Sequence, residues 1–423
     1  MALVLPSARL RFAAALTLLF GLIVLGRPIA ASAQEVYDDY APGYSQQVMR
    51  PQSASTCLGG GWIGAEYLRW SLDGANDLPP LLTDGPSTDP LTDAGNLDDA
   101  DTRILFGDEA VGDDWRGGYR VYGGVWFDCD QCCGLTADYF DLCNESDDFI
   151  SGSSANRIVT RPFFNAETGE QDTQLVDVPN ELEGTVEINS SDDFSGGGID
   201  VMHCLWKCCD PCGCGSSQVY MLGGYRQYEY DSSLVITENL LVLPGTTSPL
   251  VPGTQIFVQD SFRTENEFHG GELGVQGMTQ RSWLWLDGLC KVAVGNHRRT
   301  VIIDGSTINT VPGAGSAEFE GGLLTSEVTN IGTYKDDTLA VIPQFRLGVG
   351  GQLTNNFSVR AGYNLILWNA VARAGSQLPP GLEVDPRNLP PVQAGGGSEP
   401  EFNDILGSKL VAHGFDVGLQ FTY

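Results

Sequence analysis

Positive charge is scarce in this chain. Its 423 residues carry 23 Lys plus Arg against 54 Asp plus Glu, a formal net charge of −31. A surface this acidic repels DNA, RNA and anionic lipid head groups, so nucleic-acid binding is excluded, whereas cations and basic partners are not. Histidine is scarcer still, at His203, His269, His297 and His413. No HExxH or GxSxG pattern is present, and His269 beside Glu267 with Ser261 nearby is too loose for a hydrolase, so neither an enzyme nor a cofactor is expected. Gly196-Gly197-Gly198 and Gly348-Val349-Gly350-Gly351 lack the Lys and Ser/Thr of a phosphate loop; glycine inside a strand more often marks a bend or close packing. A long apolar helix is missing too. The run from Phe12 to Leu25 falls short of the roughly 20 residues that a spanning helix needs.

That run suits a secretory signal peptide. Arg9 and Arg11 precede it, and Ala31-Ser32-Ala33 offers a small-residue cleavage site before Gln34. The expected organisation is a signal peptide over 1–33, a short periplasmic segment over 34–60, and a barrel over 61–423. Cleavage would remove three arginines and no acid, taking the charge from −31 to −34. An exported chain without a helical span is soluble, lipid-anchored or a barrel. Cys57 lies in no signal-peptide context, so a lipoprotein is not expected.

What the chain does have is period-two alternation. In its last nine residues Phe415, Val417, Leu419, Phe421 and Tyr423 alternate with Asp416, Gly418, Gln420 and Thr422, giving a strand one apolar and one polar face. Ten stretches have strand character, near 61–70, 115–128, 133–143, 193–206, 217–231, 258–280, 283–297, 338–352, 356–372 and 410–423. Four connections are short: 129–132, 207–216, Gln280-Arg281-Ser282 and Thr354-Asn355-Asn356. Five are long, near 71–114, 144–192, 232–257, 298–337 and 373–409, and long and short alternate throughout. A soluble sandwich has no reason to sort loops by end. An outer-membrane barrel does sort them, with tight turns in the periplasm and long loops outside.

The faces divide accordingly. Trp115, Tyr119, Val121, Val125 and Phe127 share one side of the second strand, and Arg116, Arg120, Tyr122 and Trp126 the other. Val341, Pro343, Phe345, Leu347 and Val349 oppose Arg346, and Phe357, Val359, Ala361 and Tyr363 oppose Arg360. A charge at the midplane of a lipid-facing wall costs roughly 2–4 kcal/mol. Arg116, Arg120, Arg346, Arg360 and Asp416 are therefore expected to face the lumen. The fifth strand, Gln218 to Tyr230, does not divide into two faces. The fold expected is an all-β transmembrane antiparallel barrel of about ten strands, with eight to twelve as the range. Its long loops are acidic: residues 71–113 hold eleven acids against Arg103, and 144–191 hold ten against Arg157 and Arg161. Their composition predicts partial order at most.

The final strand resembles the one that outer-membrane barrel proteins present to their assembly machinery, which implies Phe421 and Tyr423 as an assembly signal. An ordered set of motifs extends the likeness: Gly223-Gly224-Tyr225-Arg226-Gln227-Tyr228-Glu229-Tyr230, then FRTENEFHGGELG from Phe262 to Gly274, then Ile342-Pro343-Gln344-Phe345-Arg346-Leu347, then RAGYNLILW from Arg360 to Trp368. Over roughly Gly61 to Tyr423 this resembles the beta-barrel porin family found in planctomycete bacteria. The resemblance implies a bacterial outer-membrane location and lipid as a partner. It supplies no catalytic residue.

Eleven cysteines remain to be explained. Cys129, Cys132 and Cys133 occupy one short turn, and Cys204, Cys208, Cys209, Cys212 and Cys214 surround the next. Disulfides in an oxidising compartment account for these eight. A zinc site built from the two CxxC pairs, Cys129/Cys132 and Cys209/Cys212, is the alternative, and redox chemistry a third. The odd count leaves one thiol over, and Cys290, inside a strand, is the candidate for burial. The runs Asp98-Asp99-Ala100-Asp101 and Ser191-Asp192-Asp193 offer oxygen ligands for calcium but lack EF-hand spacing, and solvated charge competes with that reading.

Two functions follow from this fold. One is a narrow, cation-preferring porin with acidic loops that concentrate cations at its mouth. The other is a structural or adhesive barrel that displays those loops. Barrels of about eight strands fill with side chains, whereas open channels appear at about 16.

Overall fold

The computed structural model describes residues 59–73, 77–110, 112, 114–151, 156–209, 215–391, 397 and 401–423. The expected signal peptide and nearly all of the 34–60 segment lie outside the described residues, as do Cys57, Cys212 and Cys214. Ten long strands form the body: β1 Gly61–Asp73, β2 Arg116–Trp126, β3 Cys133–Ser151, β4 Leu182–Cys209, β5 Gly215–Val242, β6 Gln255–Arg281, β7 Leu284–Val311, β8 Gly332–Gln352, β9 Phe357–Ala372 and β10 Gly407–Thr422. Each pairs antiparallel with its neighbours in sequence, and β10 pairs with β1 from Trp62↔Thr422 to Asp73↔Val411. The ring is therefore closed, and the ten-strand barrel read from the sequence is the fold. The turns after β2, β4, β6 and β8 are short, and the intervening connections are long.

Closure satisfies the backbone of every strand within the sheet, which is what lipid demands. The outer wall shows where lipid lies. On β8, Leu339, Val341, Phe345, Leu347 and Val349 are exposed, as are Leu273 and Val275 on β6 and Phe415, Val417 and Leu419 on β10. A barrel strand needs only about 9–11 residues to cross a bilayer. β4, β5 and β7 have 28 residues each, or roughly 90 Å of chain at about 3.3 Å per residue. They continue well past the apolar belt. Beyond it the faces exchange character: on β4 Val186 and Ile188 point inward and are fully buried, while Thr185, Glu187 and Asn189 alternate with them outside. Each long strand is thus a membrane strand below and a water-soluble barrel strand above.

The long loops do not match the expectation of partial order. Leu82–Pro86, Arg103–Phe106, Arg157–Asn165, Glu170–Asp177 and Glu383–Val384, drawn from three of them, form a second sheet of five strands. Its apolar residues, among them Leu82, Phe106, Val159 and Phe163, join Val186, Ile236, Phe262 and Val301 from the upper barrel in one buried core. Scattered apolar residues in acidic loops look too sparse to fold alone, but the barrel mouth supplies the other half of their core. Ion pairs fasten the join. Arg161, 1% exposed, lies between Glu238 of β5 and Asp260 of β6, at 2.9 Å from the latter. Asp84 takes both Arg103, at 2.6 Å, and Arg157, at 2.7 Å. Burial opposes charge on Asp84, but the hydrogen bonds from these two arginines outweigh it and hold the carboxyl below its ordinary range.

Candidate functional site

The lumen of the membrane half is built in layers, because successive inward residues on each strand fall at successive depths. The upper layer is aromatic. Trp70 of β1, Phe140 of β3, Phe194 of β4, Tyr228 of β5, Phe268 of β6 and Trp368 of β9 are each no more than 1% exposed. Their rings touch in a continuous set: Trp70–Phe140 at 5.3 Å, Phe140–Phe194 at 5.2 Å, Phe194–Tyr228 at 5.9 Å, Tyr228–Phe268 at 6.1 Å and Phe268–Trp368 at 6.3 Å between centroids. These are ordinary packing distances for aromatic pairs. Ala293, Ile342, Ile366, Leu410 and Ala412 fill the remaining arc, so nine of the ten strands contribute to a single core cluster. Glycine makes room for such rings on a narrow circumference. A Cβ at Gly196 would lie 2.4 Å from the Tyr228 ring.

Below it, the layer is ionic. Glu66 of β1, 3% exposed, receives Arg120 at 3.0 Å and Arg360 at 3.5 Å, together with a close contact from Arg346. Arg346 also reaches Asp416 at 3.3 Å, and Arg360 reaches Asp287 at 2.6 Å. On the other side Arg226 bridges Asp138, at 2.8 Å, and Glu272, at 2.7 Å, and Lys291 joins Glu272 at 3.2 Å and Asp200. Buried charge persists only when paired and hydrogen-bonded, and here each acid has a cation and each cation an acid. The guanidinium of Arg120 lies 5.4 Å from the Trp70 ring, tying the two layers together.

Of the charges expected in the lumen, Arg120, Arg346, Arg360 and Asp416 meet in this network. Arg116 sits higher and pairs with Asp192, which Tyr230 also approaches at 3.4 Å. Asp192, offered as a calcium ligand, is thereby engaged by an arginine. Sequence reading missed Glu66, Asp138, Arg226, Glu272 and Lys291. A signal was present: an acid or base at an inward position of a transmembrane strand has to find a partner inside.

Below the ionic layer the lumen opens into a cavity of about 460 Å³ that reaches the short turns through Gln131, Asn355 and Asn356. Trp62, Trp126, Tyr220 and Trp285 line it, together with Arg346 and Arg360.

The cysteines gather at this same rim. Asp128 accepts hydrogen bonds from the backbone N–H groups of Cys132, at 2.8 Å, and Cys133, at 3.1 Å, which folds the turn. The Cys204 N–H then donates to the Cys132 carbonyl at 2.7 Å. Cys129 is disulfide-bonded. Cys132, Cys133 and Cys204 are not, contrary to expectation, and Cys133 Sγ instead lies 3.3 Å from His203 Nδ1. Cys290 is exposed on the outer wall rather than buried, because its parity on β7 is that of Leu286 and Val292. Among the described residues no three His, Cys, Asp or Glu side chains are grouped to hold a metal ion. That includes Asp98, Asp99 and Asp101; for the zinc alternative, the side chains of Cys209 and Cys212 lie outside the description. Phe421 packs 5.0 Å from Phe357 and 6.3 Å from Tyr423 at the end of the closing strand.

Similar solved structures include the outer membrane protease OmpT from Escherichia coli, at 10% identity and a TM-score of 0.32, covering 88% of this chain and 99% of that one. A Pseudomonas aeruginosa FadL homologue is similar at 9% identity and a TM-score of 0.22, covering 86% and 89%. The CymD monoaromatic hydrocarbon channel is similar at 8% identity and a TM-score of 0.17, covering 87% and 89%. No curated protein matches the sequence. A family description does match, over residues 62–423, that of "Putative beta barrel porin-7 (BBP7)". The chain belongs to this family of porin-like barrels of the bacterial outer membrane.

Proposed function

We propose that the protein is a closed barrel anchor whose working surface is the folded cap of its long loops, rather than an open pore. The observation that carries this reading is the aromatic layer: six rings from six strands, each at most 1% exposed, in mutual contact across the lumen. An ion crossing it would leave water for a set of ring faces and aliphatic side chains, at a cost of several kcal/mol or more. Barrel size agrees, since ten strands lie nearer the side-chain-filled barrels of about eight than the channels of about 16. The cation-preferring porin read from the loop acids would need a path around this layer. Its attracting charges are also partly neutralised, as at Asp84 and at Glu238 with Asp260. Export through residues 1–33, insertion by the assembly machinery through Phe421 and Tyr423, and the absence of a catalytic role complete the proposal. Planar-bilayer recording of the purified protein tests it. A silent barrel is expected, and steady cation-selective steps would restore the porin.

A further inference from the structure

The cavity on the periplasmic side is chemically unlike the rest of the chain. In a protein with a net charge of −31, five cations line it, Arg120, Lys207, Lys291, Arg346 and Arg360, against two acids, Asp138 and Asp287. The partners Glu66, Asp200, Glu272 and Asp416 are not in the lining and are at most 3% exposed. The pairs of Glu66, Asp200, Glu272 and Asp416 therefore turn their cationic ends toward the cavity, whereas the Arg226–Asp138 pair turns its acid there. Electrostatically this is a seat for an anionic group, and Arg346 and Arg360 carry the planar fork that suits a carboxylate.

The walls carry a second signal. Trp62 and Trp126 lie 5.1 Å apart at 42°, and Trp126 and Tyr220 lie 5.4 Å apart at 34°, giving a curved aromatic wall along one side. Between the rings stand side-chain amides, among them Gln218, Gln276 and Gln344. Gln344 is 7% exposed and uses its Oε1 to accept from Tyr228 at 3.2 Å, which leaves its two N–H donors for whatever fills the space. Aromatic faces beside amides match a saccharide: ring C–H faces pack on indole, and hydroxyls exchange hydrogen bonds with groups that both donate and accept. At about 460 Å³ the cavity is in the size range of small-molecule sites, about 300–1,000 Å³.

We propose that this vestibule binds an acidic saccharide from the periplasmic side. The carboxylate meets Arg346 and Arg360, the sugar rings lie along Trp62, Trp126 and Tyr220, and the hydroxyls engage the glutamines. The site lies below the aromatic layer, so this proposal stands whether or not the barrel conducts.

The test uses the full folded chain in detergent, titrated with a hexuronic-acid trisaccharide, a neutral hexose trisaccharide and acetate, and followed by calorimetry and tryptophan fluorescence. The uronate is expected to bind with quenching, at least tenfold more tightly than the neutral sugar, and acetate is not expected to compete at equal concentration. Trp126→Ala should weaken the uronate at least tenfold while retaining heat-modifiable mobility, the sign of a folded barrel. Should Trp126→Ala fail to fold, Gln276→Leu replaces it, with several-fold weakening expected. No binding of the uronate, equal binding of the neutral sugar, or full competition by acetate would each overturn the proposal.

Discussion

The two filled layers of the lumen lie one or two inward steps apart on β1, β3, β5 and β6, yet different physics holds them. Arg226 is followed by Tyr228, and Glu66 by Leu68 and Trp70; all five are at most 1–3% exposed. In the aromatic layer each ring contributes its own buried area, so the layer is a sum of local contacts. In the ionic layer no residue is stable alone. Three arginines depend on Glu66, and two acids depend on Arg226. Sealing is a property of the first layer, and mutual dependence a property of the second.

That contrast can be broken from either side. The largest effect is expected of Glu66→Ala, which removes the buried carboxylate shared by Arg120, Arg346 and Arg360 and takes from Arg120 its ion-pair partner. Removing one partner of a buried pair costs roughly 3–5 kcal/mol, and here three cations share the loss. Urea unfolding of the detergent-extracted barrel should shift accordingly or the barrel should fail to form; near-native stability would show that water from the cavity below replaces the lost carboxylate. Trp368→Ala should cost about 3–5 kcal/mol through lost contacts and a cavity, measured in the same way. Unlike Glu66→Ala it should combine almost additively with a distant change such as Leu222→Ala, since the damage stays local.

Gly196→Val is expected to act by overfilling. Its Cβ would fall 2.4 Å from the Tyr228 ring and 2.8 Å from Phe140, for roughly 1–3 kcal/mol. No change in stability would mean that the rings are not wedged at this level. The smallest effect is one of pH on the cap, outside the membrane. Arg387, hydrogen-bonded to Asp385 at 2.9 Å, holds that carboxyl down to about 2 from an ordinary 3.8. Because the folded value is the lower one, this contact stabilises the cap above pH 3.8 and is lost as the pH falls toward 2. Protease nicking within 373–406 should rise over that interval and be blunted in Asp385→Asn, while heat-modifiable mobility of the barrel stays unchanged.

Strand number, ring closure and the sorting of turns from loops were legible in the sequence, because alternation near the membrane is strong: Leu339 to Val349 on β8 reads as lipid-facing at once. Strand length was not. β5 read as 217–231 but runs to Val242, because above the belt its apolar face turns inward, to Leu234 and Ile236, while Ser233 and Thr237 face out. A pattern sought with one polarity stops where the surroundings change from lipid to water. The failure of Gln218 to Tyr230 to divide has a related cause. Its outward Met221 and Tyr225 meet lipid, and its inward Leu222, Tyr228 and Tyr230 are packed rather than wet. Each face mixes apolar and polar residues, with Gln218 and Arg226 inward and Gln227 and Glu229 outward, so no face stands out. The ionic layer was half legible for the converse reason: a charge on a strand betrays its direction, but its partner lies on another strand, often tens of residues away.

The sealing of the lumen is tested most directly by water access at one depth. Ala293, 2% exposed, belongs to the aromatic layer, and Gln276 lines the vestibule below. Cysteine is introduced at each position, as Ala293→Cys and Gln276→Cys, and uptake of a polar, membrane-impermeant thiol reagent is compared with the native chain. Gln276→Cys should gain one label in the folded barrel, and Ala293→Cys none until the protein is unfolded in urea. Rapid labelling of Ala293→Cys in the folded state would mean that water passes through the layer of rings.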